Sequence, residues 1–369
     1  AQYEDEVDNY RQDHYQLHFD QAIGDWNLGG VVYSTLGAGY YEQFKQDERL
    51  SDYGFVPYVA QVFDTTGALL GSDTIVSTNL VRRRWLDNTL LGSSWTIGQQ
   101  TEALSQVYGL SASQYVGDHF GRVVWMDVAS NATPDAEYYN SVGEKLDLSA
   151  FGKWSGYVSD VRWHAEAQVR RVNYSTTGTD NDYSTIDIQD TLNFFNPKAG
   201  LTWSSDDNKQ RAFISAAVAH REPARSDYLD SPQSTDLRPE RLRDLEAGYR
   251  ISRQNWAAGI TLYQMQYTDQ LLATGELNDV GNPIRVNVDE SYRQGIELEA
   301  GFQLSPQWRF DANASFSRNK IARFEETLYD YQKFDEDYNP IEGYEVVIVH
   351  TNTDIALSPN AVAMGMLTW

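Results

Sequence analysis

Arg82, Arg83 and Arg84 stand side by side in a chain whose formal net charge is −24. Adjacent guanidinium groups fork onto phosphate or carboxylate oxygens, so the cluster suits an anionic ligand or lipopolysaccharide phosphate. It suits pairing with neighbouring loop acids equally well. Tyr40, Tyr41, Trp85, Trp125, Tyr228 and Tyr344 lie in or beside long connecting stretches, as do His119, His220 and Arg221. Aromatic rings give large contact area at small entropic cost, which favours tight capture of a dilute ligand. His119 and His220 fall at loop bases, where a ligand or ordinary loop hydrogen bonds would engage them. His14 and His18 lack the compact spacing of a helical metal pair and read as polar wall residues.

Acid is the commoner charge. Asp180, Asp182, Asp187 and Asp190 crowd one stretch without the glycine and terminal glutamate of a calcium loop, so a solvated acidic loop competes with a weak divalent-ion site. Glu325, Glu326, Asp330, Asp335, Glu336, Asp337, Glu342 and Glu345 interleave with Tyr329, Tyr331, Tyr338 and Tyr344. That mixture reads as a recognition surface, or as a loop kept clear of anionic lipopolysaccharide by like charge. No nucleophile elbow, phosphate loop or zinc signature is present, and the reading is of a non-enzyme without cofactor or metal. Carboxylate pairs carry no glycosidase information in so acidic a chain.

The positioning elements are strands. Trp163, Ala165, Ala167 and Val169 alternate with His164, Glu166 and Gln168. Trp308, Phe310, Ala312, Ala314 and Phe316 alternate with Arg309, Asp311, Asn313 and Ser315. Period two with one apolar face marks half-buried strands. About thirteen are expected, near 14–22, 26–36, 88–98, 102–115, 144–156, 162–174, 189–203, 211–221, 240–252, 256–270, 292–304, 308–321 and 358–369. Connections alternate between short turns and long stretches at 37–87, 116–143, 175–188, 222–239, 271–291 and 322–357. Short periplasmic turns and long extracellular loops are the habit of an outer-membrane barrel. The expected fold is all-β, a transmembrane antiparallel up-and-down barrel.

Tryptophan points the same way. Trp26, Trp163, Trp256 and Trp308 follow short turns, Trp95, Trp154 and Trp203 precede them, and Trp369 ends the last strand. Indole prefers the headgroup level, so these are expected as a membrane-interface girdle. Trp85 and Trp125 fall in long connections. The 369 residues include no cysteine, which excludes disulfides and thiolate chemistry. Strong acidity argues against nucleic acid. An odd strand count with termini on opposite sides is expected of a barrel incomplete at both ends.

Several stretches resemble TonB-dependent receptors: Asn193 to Trp203 (NFFNPKAGLTW), Ala217 to Pro223 (AVAHREP), Leu237 to Arg250 (LRPERLRDLEAGYR), Gly275 to Gly281 (GELNDVG) and Ser291 to Ala300 (SYRQGIELEA). Asp118 to Gly121 (DHFG) and Arg82 to Trp85 (RRRW) are similar to the family's wall and loop sequences. The resemblance implies a barrel wall of twenty-two strands, of which residues 1–369 supply a little over half. It implies a plug domain that engages TonB, neither visible here. It implies outer-membrane uptake in a Gram-negative bacterium of a scarce nutrient, closer to the iron-complex receptors of ferric siderophores than to the long glycan transporters. Outer-membrane lipid and lipopolysaccharide are the surrounding partners. A passive porin and, in another class, a soluble all-β binding or hydrolase domain remain open alternatives.

Overall fold

The computed structural model describes all residues except 1, 2, 4, 5, 134, 182, 232–235, 279, 280, 331 and 334–343. Asp182, Tyr331, Asp335, Glu336, Asp337, Tyr338 and Glu342 therefore lie outside the described residues, as do the side chains of Tyr329 and Glu345.

The chain forms β1 (Val7–Ile23), β2 (Trp26–Arg49), β3 (Tyr58–Phe63), β4 (Leu69–Ile75), β5 (Ser77–Gln100), β6 (Leu104–Met126), β7 (Ala136–Val158) and β8 (Val161–Thr179). It continues with β9 (Thr185–Ser204), β10 (Gln210–Arg221), the short helix α1 (Arg225–Asp230), β11 (Glu240–Ser252) and β12 (Trp256–Leu277). The last strands are β13 (Pro283–Gln303), β14 (Arg309–Tyr329), β15 (Glu345–Asp354) and β16 (Ala361–Thr368). Fourteen of these make one sheet in the order β1-β2-β5-β6-β7-β8-β9-β10-β11-β12-β13-β14-β15, with β16 also on β14. β3 and β4 form a separate hairpin. No described helix is long and apolar enough to cross a membrane.

The strand count needs one physical refinement. β15 pairs with the far half of β14, from Lys320↔Asp354 to Tyr329↔Glu345. β16 pairs with its near half, from Arg309↔Thr368 to Phe316↔Ala361. The two are halves of one return pass interrupted at residues 355–360, so the sheet makes thirteen passes.

The long connections are corrected by the structure. β2 runs on to Arg49 and β5 begins at Ser77, so most of 37–87 is strand. β6 reaches Met126 and β7 starts at Ala136, which places Trp85 and Trp125 inside strands. Outside the membrane both faces of a strand can be wet, so the apolar alternation fades while pairing continues.

By contact the chain divides into two units. One holds Ala1–Ile97, Gly109–Ala150 and Arg170–Asn193. Its core joins Leu50, Tyr53, Phe55, Leu80, Val123, Tyr138 and Tyr139. The other holds Gly98–Tyr108, Phe151–Val169 and Phe194–Trp369. There the register aligns apolar residues in rows: Leu201, Ile214, Ala247, Leu262, Ile296, Phe316 and Ala361 pair in turn from β9 to β16. The neighbouring row on the opposite face is Gly200, Ser215, Glu246, Tyr263, Gly295 and Ser317. Leu201, Ile214, Leu262, Ile296 and Phe316 are exposed, although each belongs to the apolar face. An ordered apolar band left open from β9 to β16 is what hydrocarbon covers.

Candidate ligand-binding site

In the first unit a strap crosses the upper end of the polar face. Leu50–Tyr53 makes one 3-10 turn, closed by Gly54 in the left-handed region at φ 72. Glycine takes that conformation without a Cβ penalty. The turn buries Leu50 and Tyr53. Tyr53 donates its hydroxyl to Glu48 Oε2 at 2.8 Å and accepts Arg82 Nη1 at 3.2 Å. Arg82 also donates from Nε and Nη2 to Gln43 Oε1, at 3.3 and 3.1 Å. Arg82 is thus held by neutral oxygens, with its charge relayed through Tyr53 to Glu48.

Arg84 lies one strand repeat from Arg82 on the same face. Its Nε donates to Tyr139 Oη at 3.3 Å. Its guanidinium sits 5.9 Å from the Tyr41 ring and 5.6 Å from the Tyr139 ring. A cation between two aromatic faces is pre-aimed and partly desolvated. A Cβ on Gly121 would meet the Tyr139 ring at 2.2 Å and the Tyr138 ring at 2.5 Å, so this glycine lets both rings lie on β6. Burial pushes the phenols of Tyr53 and Tyr138 up from their ordinary range, with Arg82 pulling the other way.

Strand parity divides the sequence candidates. Tyr41, Arg82 and Arg84 gather as described. Tyr40 and Trp85 instead meet each other, with ring centroids 4.4 Å apart, and Trp85 stacks on Phe120 at 5.8 Å. Arg83 lies 4.4 Å over Tyr40 and bonds to Glu42 at 2.7 Å. His119 precedes Phe120 and so alternates away from it, while Trp125 is exposed near the end of β6. In the second unit His220 stacks on Phe194 at 5.3 Å and bonds to Asn196 at 2.8 Å. Arg221 is exposed at the end of β10. Tyr228 is buried in α1, whose Asp227 is reached by Arg285 at 3.3 Å. Tyr344 accepts the Asp330 backbone N–H through its carbonyl at 2.8 Å. Sequence reasoning did not pick out Tyr53, Tyr138 or Tyr139. The Tyr138-Tyr139 pair facing DHFG was the available signal.

Among the described residues no group of three His, Asp or Glu side chains is arranged for a metal ion. Trp26, Trp95, Trp154, Trp163, Trp203, Trp256, Trp308 and Trp369 each lie beside a short turn or the chain end. Trp154 Nε1 donates to Tyr108 Oη at 3.1 Å, and Trp308 and Trp369 approach to 6.4 Å.

A family profile described as TonB dependent receptor-like, beta-barrel matches residues 1–369. The chain belongs to that family. This receptor wall is also similar to solved structures. The copper transporter OprC aligns at TM-score 0.62 and 16% identity, covering 87% of this chain and 50% of that one. The ferric-catecholate import receptor Fiu from E. coli K12, in its closed form, aligns at 0.56 and 11%, covering 98% and 52%. The ferric citrate transporter FecA, unliganded, aligns at 0.55 and 12%, covering 85% and 43%. At such identities the likeness shows the fold. The receptor chain spans about half the length of these structures. No curated protein sequence matches it.

Proposed function

We propose that this chain is the wall of an outer-membrane receptor that captures a scarce metal complex and admits it with energy delivered by TonB through a plug domain. The family match over the whole chain carries the reading. The solved relatives named for copper, ferric catecholate and ferric citrate support a metal-complex cargo. The open apolar band supports a place in the Gram-negative outer membrane. The residues we assign to the anionic ligand are Arg84 with Tyr41 and Tyr139, on the polar face. His119 and Trp125, of the same unit, are assigned to the rim of that site; in the second unit His220, Arg221 and Tyr344 are assigned as separate ligand contacts. Arg82 holds the strap that backs the site.

The test uses the full-length protein in cells and radiolabelled ferric catecholate, ferric citrate and copper. Uptake of one of them is expected to saturate at low concentration and to stop when TonB is deleted or the proton gradient collapses, while surface binding persists. Arg84→Met is expected to weaken that binding about tenfold, the scale of one lost charge-assisted hydrogen bond. Uptake linear in concentration and indifferent to both treatments favours the passive porin instead.

A further inference from the structure

The polar face of the second unit, which a closed barrel turns to its lumen, holds a depression of about 370 Å³. Lys198, Arg211, Arg250 and His164 line it, against one acid, Glu299. The register fixes how the cations are spaced. Arg211 pairs directly with Arg250, beside the short turns at 205–209 and 253–255. Arg211 stands opposite Ser204 and Lys198 opposite Ala217. Lys198 is therefore rooted six residues up the wall from that pair, about 20 Å at about 3.4 Å per residue. His164 lies between them: a Cβ on Gly200 would meet its Cε1 at 2.4 Å, so the glycine lets the imidazole lie across β9. The depression is a trough that runs with the strands, with cations at both ends and an imidazole midway.

Like charges directly opposite one another on a sheet repel. Of the two arginines only Arg250 has a counter-ion, Glu299 Oε1 at 3.3 Å. Glu299 reaches it across Gly259, where a Cβ would meet the same oxygen at 2.6 Å. Among the described residues Arg211 and Lys198 are in no ion pair. Near the trough on the same face, Glu166 is held by Lys153 at 3.0 Å, and Asp244, Glu246 and Glu297 do not line it. A guanidinium facing another guanidinium is relieved by an anion, and its fork of N–H donors fits two carboxylate oxygens. A fixed seat for one carboxylate has no use for a second cation about 20 Å along the strand. An anion that moves along the strands uses both.

We propose that this trough is a transit site for a small chelate with free carboxylates, handed from Lys198 past His164 to Arg211 and Arg250. The proposal rests on the uptake reading above and adds to it the class of cargo and part of its path. The full-length receptor is tested in cells with radiolabelled ferric citrate, which wild type is expected to import with TonB. Lys198→Gln with Arg211→Gln is expected to lower the maximal uptake rate about tenfold, the scale of one lost charge-assisted bond. Surface binding in cells lacking TonB is expected to stay unchanged, because capture belongs to the first unit. Lys198→Arg with Arg211→Lys keeps both charges and is expected to restore most of the rate. The inference is overturned by an unchanged rate in the glutamine variant, or by a loss of surface binding as large as the loss of rate. It is also overturned if that variant admits vancomycin, which would make the cations a seat for the plug. Import of copper or ferric catecholate alone overturns it and leaves the transport reading standing, whereas no TonB-dependent uptake of any of the three ends both.

Discussion

Tyr53 and Tyr138 are 3% and 4% exposed, and both lie beside Arg82, which ties the strap to the wall. Desolvation raises both phenolic pKa values in the folded protein. A group whose folded pKa is raised binds its proton more tightly when folded. The contribution is complete below the unfolded value near 10 and is lost as pH climbs through the folded value. The strap is therefore expected to loosen above about pH 10, and a tyrosinate absorbance titration should show two phenols ionising together with that loss. Ionisation of every tyrosine in one step near its ordinary value, with the strap intact, would contradict it. At this scale the sequence was half legible. Arg82 and Arg84 were visible as a cluster, but their partners are not local. Arg82 meets Tyr53 across 29 positions and Arg84 meets Tyr139 across 55. Parity also separated Tyr40 from Tyr41 and Arg84 from Trp85, a division that residue type does not announce.

The strands were read correctly where water meets one face and lipid the other. Ala314 pairs with Leu298 and Ala363 on the apolar face, while Asn313 pairs with Glu299 and Met364 on the other. Ala314→Arg in the intact receptor is expected to cost about 2–4 kcal/mol if it lies near the bilayer midplane, and Asn313→Arg little. Unfolding in lipid measures both, and equal losses would argue against a membrane wall. Trp256, Ala258, Ile260 and Leu262 carried the signal on β12, which was expected to end at residue 270 although the strand continues to Leu277. The β3–β4 hairpin was missed for a related reason. Tyr58–Phe63 does carry Val59, Val62 and Phe63, but a single short apolar run does not separate strand from loop. Its turn is recognisable in hindsight: Asp64 Oδ1 accepts the Thr66 and Ala68 amides at 2.8 Å each, and Gly67 takes φ 87.

In the order of the sheet β1 stands at one end and β15 at the other. An edge strand carries backbone N–H and C=O groups that hydrocarbon does not satisfy. Residues 1–369 produced by themselves are expected to aggregate rather than insert, as size-exclusion chromatography in detergent would show. A monodisperse, heat-resistant barrel from those residues would favour a small self-contained porin. The general architecture was accessible from alternation and tryptophan placement. The division of the last pass into β15 and β16 was not. The near half pairs Arg309 with Thr368 and the far half pairs Lys320 with Asp354, which changes the register by three residues. Register is a relation between two strands and leaves no mark on either one alone.

β2 and β5 are each 24 residues long, whereas a tilted strand needs about 10 to cross a bilayer. More than half of each therefore stands in the medium as continuous hydrogen-bonded wall. Seen from outside, this part of the protein is a parapet rather than a fringe of tethers. A protease or an antibody arriving there meets side chains on a rigid rim, and finds slack backbone mainly at the crests between strands.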